Sequence, residues 1–183
     1  MSEGEKMNLE EAKYSRVEYE RRFLVSNDAG WKRFVELYSK TYEDKYIRDS
    51  RLRLRILTDS DTNRQIIKLT KKFESDSPYF QTITTILLSP DERRLFDNVE
   101  GNRLKKTRYY HNYRGQVFSI DVFEGELDGL VLCETERDAL EDLMSAELPA
   151  YIKREVTEDS FFTGGNLCRT THTDLLHKLS AFE

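Results

Sequence analysis

Apolar and polar residues alternate with a period of two over most of the chain. Side chains on a strand point to opposite faces at successive positions, so this pattern predicts β-structure. The first such run extends from Val17 to Val25. Others are expected near Tyr42–Ile47, Arg51–Leu57, Arg64–Lys71, Tyr79–Leu88, Arg103–His111, Gln116–Phe123 and Leu130–Glu136. A shorter extended piece is expected at Ile152–Val156. Between the first two runs the chain reads as a helix from about Ala29 to Tyr38, capped by Asn27 or Asp28. Ser89-Pro90-Asp91 opens a short helix reaching Phe96, with proline at its first position. Asp138–Ala146 also reads as helical, as does a C-terminal region ending near Leu179. Strands outnumber helices about two to one and are joined mostly by short links. This favours antiparallel pairing over βαβ crossovers. Eight principal strands suffice to close a barrel, with flanking helices making the fold α+β.

The polar side of this alternation is charged, and it is sorted by sign. Glu18, Glu20 and Arg22 share one face of the first strand, with Val17, Tyr19 and Phe23 on the other. Arg51, Arg53 and Arg55 share a face opposite Leu52, Leu54 and Ile56. Lys68, Thr70 and Lys72 align, as do Lys106 and Arg108, and Glu134 and Glu136. Like charges in one row repel unless an opposite charge or ligand lies between them. The opposite faces are apolar enough to form a core. A barrel with its charged faces inward accounts for both features. Buried charges must be paired or must hold an ion. Arginine and lysine suit phosphate oxygens, and carboxylates suit Mg²⁺ or Mn²⁺.

Composition narrows the field. The chain has 183 residues, 38% hydrophobic and 34% charged, with 29 Lys and Arg against 34 Asp and Glu. The net charge of −5 argues against a general nucleic-acid binder. No apolar stretch approaches the roughly 20 residues of a membrane span. The two cysteines, Cys133 and Cys168, form no metal motif or disulfide framework, which fits a reducing, cytoplasmic setting. Residues 1–15 lack the apolar centre of a signal peptide and read as a flexible lead-in to one domain over residues 16–183. Gly164-Gly165 reads as a turn linking helices, because no lysine-bearing phosphate loop follows it.

In this order the charged rows resemble the CYTH superfamily, the triphosphate tunnel metalloenzymes. Glu18-Tyr19-Glu20-Arg21-Arg22 is similar to the family's Glu-x-Glu-x-Lys on its first strand. Arg53 and Arg55, Lys68, and Lys106 with Arg108 follow in the family's order. SIDVFEGELDGLVLCETE supplies Asp121, Glu134 and Glu136, and Glu155-Val156-Thr157 resembles a late family motif. The resemblance spans roughly residues 17–168. It implies an eight-stranded tunnel that hydrolyses a triphosphate, inorganic tripolyphosphate first, with Mg²⁺ or Mn²⁺. The metal would sit on Glu18, Glu20 and one or both of Glu134 and Glu136. Arg22, Arg53, Arg55, Lys68, Lys106 and Arg108 would bind the phosphates. Asp121 would support the lumen or act at the metal, and Lys153 would add a cation. Arg51 is an understudy in the arginine row. The expected partner is a triphosphate-containing small molecule, without nucleic acid or membrane, and a homodimer is compatible with this reading. Thiamine or nucleoside triphosphatase, class IV adenylate cyclase and a non-catalytic polyphosphate-binding module are the rival activities. Two departures stand out: Arg22 replaces the family's lysine, and QTITTILLS lacks charges that some members carry there.

Overall fold

In a computed structural model that describes residues 14–26 and 30–182, nine strands form one antiparallel sheet. They are β1 Arg16–Val25, β2 Ser39–Ile47, β3 Leu52–Asp59, β4 Gln65–Lys72, β5 Phe80–Leu88, β6 Gly101–Tyr113, β7 Gln116–Phe123, β8 Val131–Arg137 and β9 Ile152–Glu155. The sheet order is β5-β4-β3-β2-β6-β7-β8-β1-β9, and β1 also pairs with β5. That last pairing closes an eight-stranded barrel with β9 as an additional strand. The closure divides β1 in two. Its first half, Arg16–Tyr19, pairs with Ile83–Phe80 of β5. Its end, Phe23–Val25, pairs with β9 on the side that β5 has left. The expected closed barrel is therefore the observed one.

Most neighbouring strands are joined by hairpins whose turns read locally. Between β6 and β7, Arg114 and Gly115 have φ of 53° and 78°. Two consecutive positive values make the tight turn whose twist matches paired strands. Replacing Gly115 with alanine is expected to lower stability by about 1 kcal/mol, the penalty for a side chain in the left-handed region. A denaturant titration that left the midpoint unchanged would remove this account of the turn.

Three connections are longer, and the one between β8 and β9 carries the helix Leu140–Met144, within the expected Asp138–Ala146. The β5–β6 link carries helix α1, Pro90–Arg94, begun by a reciprocal Ser89–Glu92 cap with Pro90 at its start, as expected. Lys45 points outward from β2 and donates to the carbonyls of Phe96 (2.8 Å) and Asp97 (3.3 Å), tying this link to the wall. The β1–β2 link departs from expectation. The proposed caps Asn27 and Asp28 lie outside the described residues, as does the lead-in up to residue 13. Among the described residues of the link only Gly30–Arg33 is helical, as one 3-10 turn, and β2 starts at Ser39. The reason is tertiary: Trp31 is buried at 2% exposure while Leu37 is fully exposed, so the segment has no continuous apolar stripe to bury.

Two apolar clusters flank the charged middle. One lies outside the wall, where Trp31 and Tyr151 cover Phe23, Phe118, Ile120 and Cys133. The other lies at one end of the barrel. There Leu24, Leu104, Phe123 and Leu132 from the strands meet Phe162, Leu167 and Leu175. The last two belong to helices α3, Gly164–Leu167, and α4, His172–Ser180, which follow α2, Leu140–Met144. The C-terminal segment thus fills that end. Among the described residues no helix is long and apolar enough to cross a membrane.

Candidate active site

The barrel encloses a cavity of about 240 Å³ lined by eight cationic side chains and five carboxylates. Register explains how they converge. Glu20 lies opposite Glu136 and Arg22 opposite Glu134 on the β1–β8 pair. Arg55 lies opposite both Asp44 and Lys68, and Arg53 opposite Thr70. Arg108 lies opposite Asp121. Each row therefore meets its counterpart across one hydrogen-bonded step, on the inner face.

Ten sequence-selected residues line the cavity together: Glu18, Glu20, Arg22, Arg53, Arg55, Lys68, Lys106, Arg108, Glu134 and Glu136. Asp121 lies directly beneath them, fully buried. Lys153 does not join them. It is exposed on β9, beside an outer groove with Leu24, Gly129 and Leu179. β9 borders the barrel without belonging to its closed wall, so its side chains do not reach the lumen. Arg51 is exposed and pairs with Glu74 at 2.5 Å. The charge-poor β5 contributes Ile83 and Thr85 to the lining.

Arg16, Tyr42, Asp44, Tyr46 and Lys72 also line the lumen, beyond the residues the sequence points to. Lys72 carried a usable signal, its alignment with Lys68. Tyr42, Asp44 and Tyr46 share a face, but Glu43 and Lys45 charge the other face, which hides the polarity of β2. Tyr42 is only 6% exposed. Its ring sits under the guanidiniums of Arg55 (4.7 Å) and Arg108 (5.0 Å) and the Lys106 ammonium (5.8 Å). An aromatic face thereby holds three cations close together.

The ion pairs fall into two groups. In the first, carboxylates position cations. Asp121 receives Arg108 through two bonds of 2.6 and 2.7 Å and also binds Lys106. Asp44 receives Arg55 through two bonds of 2.6 Å. Glu134 takes Arg22 Nε at 3.2 Å on one oxygen and Arg108 on the other. Burial alone would push the Glu134 carboxyl up, but Lys106, Arg108 and Arg22 outweigh it and hold the group well below the usual range. Asp44 is likewise lowered, with Arg55, Arg53 and Lys106 overcoming its burial.

The second group gathers on β1 and β8. Glu18 pairs with Arg16, and Glu20 with Arg22. Glu136 forms no ion pair among the described residues. Although its side chain keeps contact with solvent, enclosure by the lumen and the nearby Glu134, Glu18 and Glu20 raise its carboxyl to about 7. Three carboxylates that repel one another, all hard oxygen donors, fit a divalent cation such as Mg²⁺ or Mn²⁺. Among the described residues no three acidic, histidine or cysteine side chains are already gathered at metal-ligand spacing. Glu18 and Glu20 would have to turn from their arginines to hold one.

These opposing shifts predict a stability optimum on the acid side for protein kept in chelator. Glu136, raised above its ordinary value, is charged unfavourably at neutral pH, so protonating it as pH falls from about 7 towards 4.5 adds stability. Asp44 and Glu134, lowered in the folded state, stabilise above their ordinary values and lose that contribution as pH falls further. Melting temperature measured from pH 3 to 8 should peak at about pH 5. Glu136→Gln should abolish the decline towards pH 8, and a wild-type profile rising steadily to pH 8 would contradict the assignment.

Arg53, Lys68 and Lys72 enter no ion pair among the described residues, and Arg53 Nε is buried with no hydrogen-bond partner. The lumen therefore carries surplus positive charge facing an acidic patch. Fold and site together define a closed β-barrel whose interior sets unpaired cations beside a group of carboxylates.

Comparison with known proteins agrees. No family model matches the chain. An inorganic triphosphatase of Acetivibrio thermocellus is 27% identical over 164 residues, covering 85% of this chain and 95% of that protein. An inorganic triphosphatase of Nitrosomonas europaea is 39% identical over 66 residues, 36% of this chain and 44% of the relative, so that match spans less than half of the relative's length. The crystal structure of the inorganic triphosphatase NE1496 superposes with a TM-score of 0.54 at 25% identity, covering 84% of this chain and 95% of that one. The resemblance to the CYTH superfamily drawn from the sequence holds in both the fold and these relatives.

Proposed function

We propose that this protein hydrolyses a triphosphate inside the barrel, inorganic tripolyphosphate first, with Mg²⁺ or Mn²⁺. The observation that carries this reading is the lumen itself: eight cations and five carboxylates enclosed together, with three of the cations unpaired among the described residues. The relatives named inorganic triphosphatase point the same way.

Arg22, Arg53, Arg55, Lys68, Lys106 and Arg108 bind and orient the phosphate chain, and Lys72 joins them. Phosphoryl transfer asks mainly for positioning and charge neutralisation, and buried cations that are fixed beforehand provide both. Asp121, Asp44 and Glu134 hold the arginines in place, since their oxygens are already taken by cations. Glu18, Glu20 and Glu136 would hold the metal. When bound, such an ion offsets phosphate charge and lowers the pKa of a bound water.

A substrate panel tests the proposal. Phosphate release from tripolyphosphate, thiamine triphosphate and ATP would be followed with Mg²⁺, Mn²⁺ or chelator, alongside formation of cyclic AMP. Metal-dependent release, fastest from tripolyphosphate, is the expected result. Faster turnover of an organic triphosphate would reassign the substrate, and binding without turnover would make the protein a sensor.

A further inference from the structure

Tyr46, on β2, faces the lumen at the end filled by the C-terminal segment. Its cross-strand partner is Arg53, whose guanidinium lies against the phenol. Arg55 and Arg22 also act on Tyr46 electrostatically. A phenol among three guanidiniums is a costly way to fill space, because its hydroxyl needs a partner that phenylalanine would not. Against the tip of the side chain, Gly164 opens α3, and a Cβ at that position would overlap the Tyr46 hydroxyl. Glycine thus lets the C-terminal segment approach until it touches the phenol and fixes how far the hydroxyl projects into the cavity. Beside it, Arg53 Nε is buried and unpartnered.

Building on the triphosphate reading, we propose that Tyr46 and Arg53 form an end subsite. The Tyr46 O–H and the Arg53 guanidinium donate to the terminal phosphate of a triphosphate that enters from the end where Glu136 meets solvent. Tyr46 is then a specificity-determining residue: it rewards a chain long enough to reach the closed end, and pyrophosphate falls short of it. Gly164 is a positioning residue that sets the depth of the subsite. Burial raises the Tyr46 phenol, so it remains a donor across the neutral range.

Tyr46→Phe keeps the ring and removes only the hydroxyl. Equilibrium binding of tripolyphosphate and pyrophosphate, measured calorimetrically without metal, should show about a tenfold loss for tripolyphosphate. Pyrophosphate affinity should change by less than about twofold. Gly164→Ala, which retains the hydroxyl but pushes it aside, should reproduce the selective loss. Thermal melts report whether both variants fold. Three results overturn the subsite: tripolyphosphate binding by Tyr46→Phe equal to wild type, equal losses for the two anions, or a Tyr46→Phe variant that does not fold. Wild-type protein that binds neither anion brings down the triphosphate reading itself. Wild-type binding with an indifferent Tyr46→Phe brings down the subsite alone.

Discussion

Asp121→Ala is expected to lower stability by about 3–5 kcal/mol, because it leaves buried Lys106 without a carboxylate partner and Arg108 with Glu134 alone. Asp121 is fully buried and its oxygens take Arg108 Nε, Arg108 Nη2 and Lys106 Nζ. Arg108 and Lys106 are themselves almost fully buried, so water cannot replace the carboxylate. For a chain of this size the melting temperature should fall by about 10 °C or more. Tripolyphosphate added to the variant should recover part of the loss, since a polyanion can neutralise the same cations. Lys153→Ala, altering a cation outside the lumen, should change neither melting nor turnover. Asp121→Ala protein melting like wild type would refute the counter-charge role.

Glu20→Gln should reduce metal-dependent turnover at least about 100-fold, the scale of losing a few kcal/mol of charge stabilisation at the reacting phosphate. The substitution is nearly isosteric and removes only the negative charge. Glu20 pairs with Arg22 and lies opposite Glu136, so its loss relieves repulsion on Glu136 and frees Arg22 for phosphate. Tripolyphosphate binding without metal should therefore be kept or strengthened, and melting temperature at pH 8 should not fall. Turnover by Glu20→Gln at the wild-type rate would remove Glu20 from the metal site. Equal weakening of metal-free binding would instead mark Glu20 as structural.

The residues that stand out in the sequence share one property: like-facing charges recur at every second position opposite a mostly apolar face. β1, β3 and β8 show this from Glu18 to Arg22, from Arg51 to Arg55, and at Glu134 and Glu136. A period of two then assigns both faces at once. β2 defeats that logic, because Glu43, Asp44 and Lys45 carry charge on both faces. Asp44 is buried inward against Arg55, whereas Lys45 is buried outward against the carbonyls of the β5–β6 link. Lys153 shows the opposite failure. Its strand is legible in the sequence, but membership of the closed wall depends on pairings far apart along the chain.

The one-dimensional pattern by itself determined an antiparallel barrel with sign-sorted charges inside, because alternation and short links depend on neighbours along the chain. Only the tertiary structure decided what each charge does. Glu134 and Glu136 are two residues apart on one face. Cross-strand neighbours make the first an anchor for Arg22 and Arg108 and leave the second crowded by Glu18 and Glu20. Gly164, locally an ordinary turn residue, becomes the stop against the Tyr46 hydroxyl through the same kind of long-range meeting. Coulomb energies and close packing depend on distance through space, and distance is created by folding.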